Sequence, residues 1–180
     1  MVLRGPNGSG KTTLLRLMAG LAQPFVGSLA WNGRALDEDF GGLVRYIGHL
    51  DAIKPGLTAR ENLSFWASLF GIPRAGVDRA LATFDLARLA DFPARLFSAG
   101  QRHRLALARL LLGDAPLWLL DEPANTLDDA SLKALTQAIS DHRRRGGMVV
   151  IASHGDALTA DAAVMALDAF RPTKETAETS

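Results

Sequence analysis

The apolar positions of this chain fall into two textures. Toward both ends they form short continuous runs bounded by Gly, Pro and acids; in the middle they recur at helical spacing. Residues 1–4 (MVLR) read as the end of a strand and residues 44–47 (VRYI) as another. Residues 117–120 (LWLL) and 148–152 (MVVIA) are the uninterrupted apolar runs that a parallel strand covered on both faces requires, and 164–167 repeat the pattern more weakly. Residues 12–19 have helical character and stop at Gly20. Residues 28–36 alternate around Asn32-Gly33, a dipeptide suited to a two-residue hairpin turn. Residues 49–57, with Pro55-Gly56, read as loop.

From Thr58 onward the pattern turns helical. Thr58 with Glu61 three residues later spells a capping box, which predicts a helix running through residues 62–70. A second helix is expected over 77–84, a short one near Leu86 and a long one over 101–112. Residues 128–145 form another, ending in basic residues before Gly146-Gly147. The expected fold is α/β: one domain over 1–180, with a parallel-sheet core from 1–57 and 113–170 interrupted by a helical insertion over 58–112. The polar stretch 171–180 is expected to be disordered.

Composition narrows the chemistry. The 180 residues are 48% apolar, enough for a sizeable core, and 20 basic against 19 acidic residues leave a net charge of +1. A nucleic-acid partner is not expected, since such proteins carry a clear basic excess. The chain has no cysteine, which excludes disulfides, thiolate metal sites and thiol nucleophiles. It shows no signal-peptide pattern and no apolar run near the roughly 20 residues that span a bilayer. It is expected to be soluble or held at a membrane by a partner.

Gly5-Pro6-Asn7-Gly8-Ser9-Gly10-Lys11-Thr12 matches G-x-x-x-x-G-K-S/T between a strand and a helix, with Thr13 following in the helix. Glycines let such a loop wrap phosphate oxygens, and the helix start adds its positive dipole end. The expected ligand is ATP, with Lys11 on the β- and γ-phosphates and Thr12 on Mg²⁺. Asp121-Glu122 closes the LWLL run at the carboxyl end of a buried strand, where α/β sheets bind ligands. Asp121 fits the Mg²⁺ role and Glu122 that of polarising the attacking water. By itself that pair reads equally well as a solvated acidic turn.

Three further segments carry a family resemblance. Phe97-Ser98-Ala99-Gly100-Gln101, before a helix, resembles the ABC signature; residues 121–128 (DEPANTLD) resemble the acid pair running into the D-loop; and Ile151-Ala152-Ser153-His154 resembles the switch segment. With the phosphate loop these occur in the order of ABC transporter ATPases. The resemblance implies a P-loop NTPase core, catalytic roles for Glu122 and His154, a D-loop role for Asp128, and a head-to-tail dimer. In that dimer Ser98, Ala99, Gly100 and Gln101 meet the ATP held by a second copy. Phe97 and Ala99 depart from the usual letters, and the Ala99 methyl stands where bare backbone is common. Read alone, Ser98 is a helix cap and His154 a structural histidine.

The family's loop glutamine has its counterpart at His49, which either replaces it or is a loop histidine without a role in the site. The antiparallel strands and adenine-stacking aromatic that normally precede the phosphate loop have no counterpart in the sequence, so weak ATP binding is expected. Residues 46–63 (YIGHLDAIKPGLTARENL) are similar to the ATP-binding subunit of the cytochrome c maturation haem exporter. That similarity implies a peripheral protein on the cytoplasmic face of the bacterial inner membrane, docked on integral membrane permease subunits. No direct haem binding is expected, as no haem-ligand motif is present. Another small ABC transporter, a non-transport ABC ATPase and a non-catalytic module are the competing readings.

Overall fold

The computed structural model describes residues 1–31, 33–35, 42–155, 158 and 162–170. Its elements in chain order are β1 (Val2–Arg4), α1 (Lys11–Met18), β2 (Ala30–Trp31), β3 (Arg34–Ala35), β4 (Val44–Ile47), α2 (Ala59–Leu69), α3 (Arg74–Thr83), α4 (Ala99–Ala108), β5 (Leu117–Asp121), α5 (Asp129–Arg144), β6 (Met148–Ala152) and β7 (Val164–Ala166). Short 3-10 turns follow at Ala87–Leu89, Ala94–Leu96, Arg109–Leu111 and Leu167–Phe170. Five strands form one parallel sheet in the order β4-β5-β6-β1-β7. β2 and β3 pair antiparallel, as the hairpin pattern predicts, although Asn32 and Leu36 lie outside the described residues. So does the segment 171–180.

β5 explains the apolar runs. Leu117 and Leu119 pack on one face with Leu3, Leu15 and Val150 beneath α1, while Trp118 and Leu120 join the larger core formed with α2, α3, α4 and α5. Successive side chains point to opposite faces, so a strand covered on both sides has no polar position to alternate with.

Helix starts follow local chemistry. The Thr58–Glu61 capping box forms, with both reciprocal bonds present. Asp128 caps α5 by accepting from Ser131 N at 2.8 Å, so that helix begins one residue later than its acidic start suggests. The expected 77–84 helix begins earlier, at Arg74, because Pro73 presets the entry backbone. The expected 101–112 helix is shifted too: Ser98 starts it at Ala99, and it tightens into a 3-10 turn at Arg109.

His142 of α5 is buried, with its ring stacked on Trp118 at 4.0 Å and 7°. Burial, the largest cause, lowers its pKa below the ordinary value of 6.5; hydrogen bonding to Met148 opposes this. The fold therefore favours the neutral ring. Its contribution to stability is complete above pH 6.5 and is lost as pH falls below that value, by at most about 1.4 kcal/mol per pH unit. His142→Phe keeps the stack and should flatten this part of the profile between pH 7.5 and 5.5, measured as the urea midpoint. An unchanged slope would refute the assignment.

Candidate functional site

The phosphate loop connects the end of β1 to the start of α1. A Cβ at Gly5 would lie 2.5 Å from Ser9 Oγ, and Gly10 caps α1 with φ of 94°, a left-handed geometry that side chains resist. Among the described residues no side chain caps α1, so its first N–H groups can face an anion. Lys11 is buried, and its Nζ donates to the carbonyls of Gly5 at 2.7 Å and Pro6 at 3.1 Å. The lysine thus arches back over its own loop. Thr12, Thr13, Pro6, Asn7 and Gly8 are exposed.

The carboxyl ends of β5 and β6 lie beside this loop. Asp121 pairs with Ala152 in register and is buried; its Oδ2 accepts a 2.7 Å bond from the Thr12 hydroxyl. Glu122 follows with φ of 51°, an uncommon conformation for a non-glycine residue, and its N–H donates to Ala152 O at 2.9 Å. Glu122 Oε1 is buried with no hydrogen-bond partner among the described residues. It lies 3.6 Å from His154 Nε2. That same nitrogen is 2.9 Å from Asn7 Oδ1 and 3.3 Å from Lys11 Nζ. With a hydrogen it donates to Asn7; with a lone pair it accepts from Lys11. Arg4 donates to the His154 carbonyl at 3.3 Å. Tyr46 lies half-buried nearby, its pKa raised by burial and then by the Asp121 charge.

A buried carboxylate in contact with a hydroxyl is a hard-oxygen donor pair. Among the described residues no three His, Cys, Asp or Glu side chains could hold a metal on their own. That combination suits Mg²⁺, which takes one or two protein oxygens and completes its shell with phosphate and water.

The other expected site residues stand apart from this cluster. Ser98 caps α4 in a capping box with Gln101: Gln101 N donates to Ser98 Oγ at 3.2 Å and Ser98 N donates to Gln101 Oε1 at 2.8 Å. Ser98 and Ala99 are exposed. A Cβ at Gly100 would come 3.2 Å from the Thr126 carbonyl, so α4 begins against the turn after the acid pair. No hydrogen bond among the described residues joins Ser98–Gln101 to the phosphate loop. Asp128 is occupied as the α5 cap, and the Ser131 bonds hold its carboxyl below the usual range. His49 is exposed, and its side chain makes no hydrogen bond or ion pair with another described residue.

One contact was not legible in the sequence. His103, on α4, bridges Asp51 and the Pro123 carbonyl. A lone histidine 52 positions from its acid has no spacing signature. The available hint was its place one turn before buried Leu107, on the inward side of the helix.

Residues 1–125 match the family described as ABC transporter. Over 96% of its length the chain is 53% identical to the cytochrome c biogenesis ATP-binding export protein CcmA of Rhodospirillum rubrum, 75% of which is covered. It is 51% identical to the protein of the same name from Paramagnetospirillum magneticum, over 97% of this chain and 84% of that one. A solved dimeric ATP-binding cassette in a post-hydrolysis state, bound to ADP and Pi, matches with a TM-score of 0.83 at 24% identity, over 92% of this chain and 79% of that one. At that identity the likeness shows the fold.

Proposed function

Because the chain belongs to the ABC transporter family, and within it to the cytochrome c biogenesis ATP-binding export proteins, we propose that it is the ATP-hydrolysing subunit that powers a haem exporter. The observation that carries the hydrolytic reading is the meeting of Glu122, His154, Asn7 and Lys11 at the phosphate loop.

ATP seats its phosphates on the N–H groups of the loop and on the start of α1. Lys11 exchanges the Gly5 and Pro6 carbonyls for β- and γ-phosphate oxygens, and its charge offsets theirs. Thr12 and Asp121 would hold Mg²⁺, which when bound neutralises charge on the phosphate oxygens. Glu122 offers its unpartnered oxygen to a water and aligns it with the γ-phosphorus. The water oxygen bonds to the γ-phosphorus while Glu122 draws off its proton, the bond from the γ-phosphorus to the bridging oxygen breaks, the proton passes on to phosphate, and ADP and phosphate leave. His154 exchanges Asn7 Oδ1 for the γ-phosphate as the acceptor of its Nε2 hydrogen.

The remaining residues act between copies. Ser98–Gln101 lies outside the cluster of its own chain, and a structural neighbour is a dimer. We assign these residues to ATP held by a second copy in a head-to-tail dimer, with Asp128 on the loop between the two sites. The segment 58–112 acts as a helical unit on the core of 1–57 and 113–170. No helix of the described residues is long and apolar enough to cross a membrane. In this reading the subunit sits peripherally at the cytoplasmic face, docked on permease subunits that carry the haem.

The test is phosphate release from ATP. Turnover with Mg²⁺ is expected, and loss of turnover with excess EDTA, restored by added Mg²⁺. Hydrolysis indifferent to EDTA would overturn the Thr12–Asp121 assignment.

A further inference from the structure

His103 lies in the second turn of α4 with 12% of its side chain exposed. Its Nδ1 is 2.9 Å from Asp51 Oδ1 and its Nε2 is 3.0 Å from the Pro123 carbonyl oxygen. A carbonyl oxygen can only accept, so Nε2 carries a hydrogen. An ionised carboxylate can also only accept. The Asp51 charge also acts on the buried Arg109 guanidinium, which burial has brought down to about 10. Both groups that the ring meets are therefore oxygens that accept, a carboxylate at Nδ1 and a main-chain carbonyl at Nε2.

What it joins gives the contact its meaning. Asp51 belongs to the segment that leaves β4 toward α2. Pro123 is the residue directly after Glu122. Glu122 itself sits at a φ of 51°, a conformation that persists only where its surroundings hold it. On one side its N–H is tied to Ala152 O, and on the other the next carbonyl is tied to His103. α4 also carries Ser98 as its cap, and Arg102 in its first turn donates from Nη1 to the Phe97 carbonyl. One imidazole therefore connects the signature helix, the segment after β4 and the backbone of the hydrolytic acid.

We propose that His103 is a positioning residue: through its two-ended contact with Asp51 and the Pro123 carbonyl it holds Glu122 in its working pose and ties that pose to the position of α4. The proposal rests on the ATPase reading and adds a residue to it. A shift of α4 relative to β5 stretches the bond to Pro123 and turns the Glu122 carboxylate, so the acid is aligned only when α4 is seated. The requirement is for donors alone. An arginine, with five N–H donors and no acceptor, meets it; a leucine cannot; a glutamine presents donors from a single nitrogen and leaves one partner unmet.

The experiment measures kcat and KM for Mg·ATP in the wild type, Glu122→Gln, His103→Leu, His103→Arg and His103→Gln, with circular dichroism and Tm for each. His103→Leu is expected to lower kcat by about tenfold to a hundredfold with KM changed by less than about threefold, since the acid is misplaced and the phosphate loop is untouched. His103→Arg is expected to recover kcat to within about threefold of the wild type. If His103→Leu does not fold, His103→Gln takes its place and is expected at least about fivefold below His103→Arg. A folded His103→Leu as fast as the wild type overturns the proposal, as does a His103→Arg no faster than the Leu or Gln variant. A rise in KM at constant kcat overturns it too. A wild type without turnover sinks the ATPase reading and this proposal together; a turning-over wild type, silenced by Glu122→Gln, leaves the His103 variants to decide the proposal alone.

Discussion

Glu122→Gln is expected to lower steady-state ATP hydrolysis about a thousandfold while leaving ATP bound. The substitution keeps the shape of the side chain and the backbone that presents it: the bond from residue 122 N–H to Ala152 O and the left-handed φ do not depend on the carboxylate. The negative charge that draws a hydrogen of the attacking water is lost. Glu122 Oε1 is buried and lacks a hydrogen-bond partner among the described residues, a costly state for a charged oxygen that a neutral amide relieves. The variant should therefore unfold at a temperature equal to or above that of the wild type, the pattern of a site that trades stability for activity. Phosphate release and nucleotide retention check both halves of this expectation. Undiminished turnover would remove Glu122 from the mechanism.

Ser98→Asp is expected to lower hydrolysis about a hundredfold without destabilising the chain. Aspartate caps a helix as well as serine does, so the bond from Gln101 N survives and α4 keeps its start. In the proposed head-to-tail dimer the added negative charge then faces the γ-phosphate of the ATP held by the other copy and repels it. Ser98→Ala reverses the balance. It removes the cap, at about 1 kcal/mol, and leaves the position neutral. It should melt lower yet hydrolyse faster than Ser98→Asp. The two variants separate capping from phosphate contact, which a single substitution confounds.

How far the sequence anticipates this structure depends on how local each cause is. β6 appears with its expected bounds because a strand buried on both faces has to be continuously apolar; β4, at the sheet edge and carrying Arg45, also keeps its expected bounds. The Thr58 and Ser98 caps are decided within four residues and are legible there. The start of α3 is less so, since Pro73 sets an entry that the apolar period ignores. In the candidate site the phosphate loop and the acid pair announce themselves by short motifs. Their meeting does not: Thr12 and Asp121 are 109 positions apart, and Asn7 and His154 are 147 apart. The parallel sheet order, with β6 between β5 and β1, brings these ends together. The His103 bracket is beyond any local pattern for the same reason. His49 is the opposite case, a residue picked out by its place in a motif that the structure leaves exposed and without a side-chain partner among the described residues.

The central claim is that each working site is assembled from two copies, the phosphate loop and Glu122 of one with Ser98–Gln101 of the other. Mixing purified Glu122→Gln with purified Ser98→Asp tests it most directly. Each is close to inactive alone. In a head-to-tail heterodimer one site carries both lesions, while the other combines the intact Glu122 of the Ser98→Asp copy with the intact Ser98 of the Glu122→Gln copy. The mixture is predicted to hydrolyse ATP well above the sum of its parts, with a maximum at equal proportions. Activity that never exceeds that sum, in a mixture shown to contain heterodimers, would contradict the shared site.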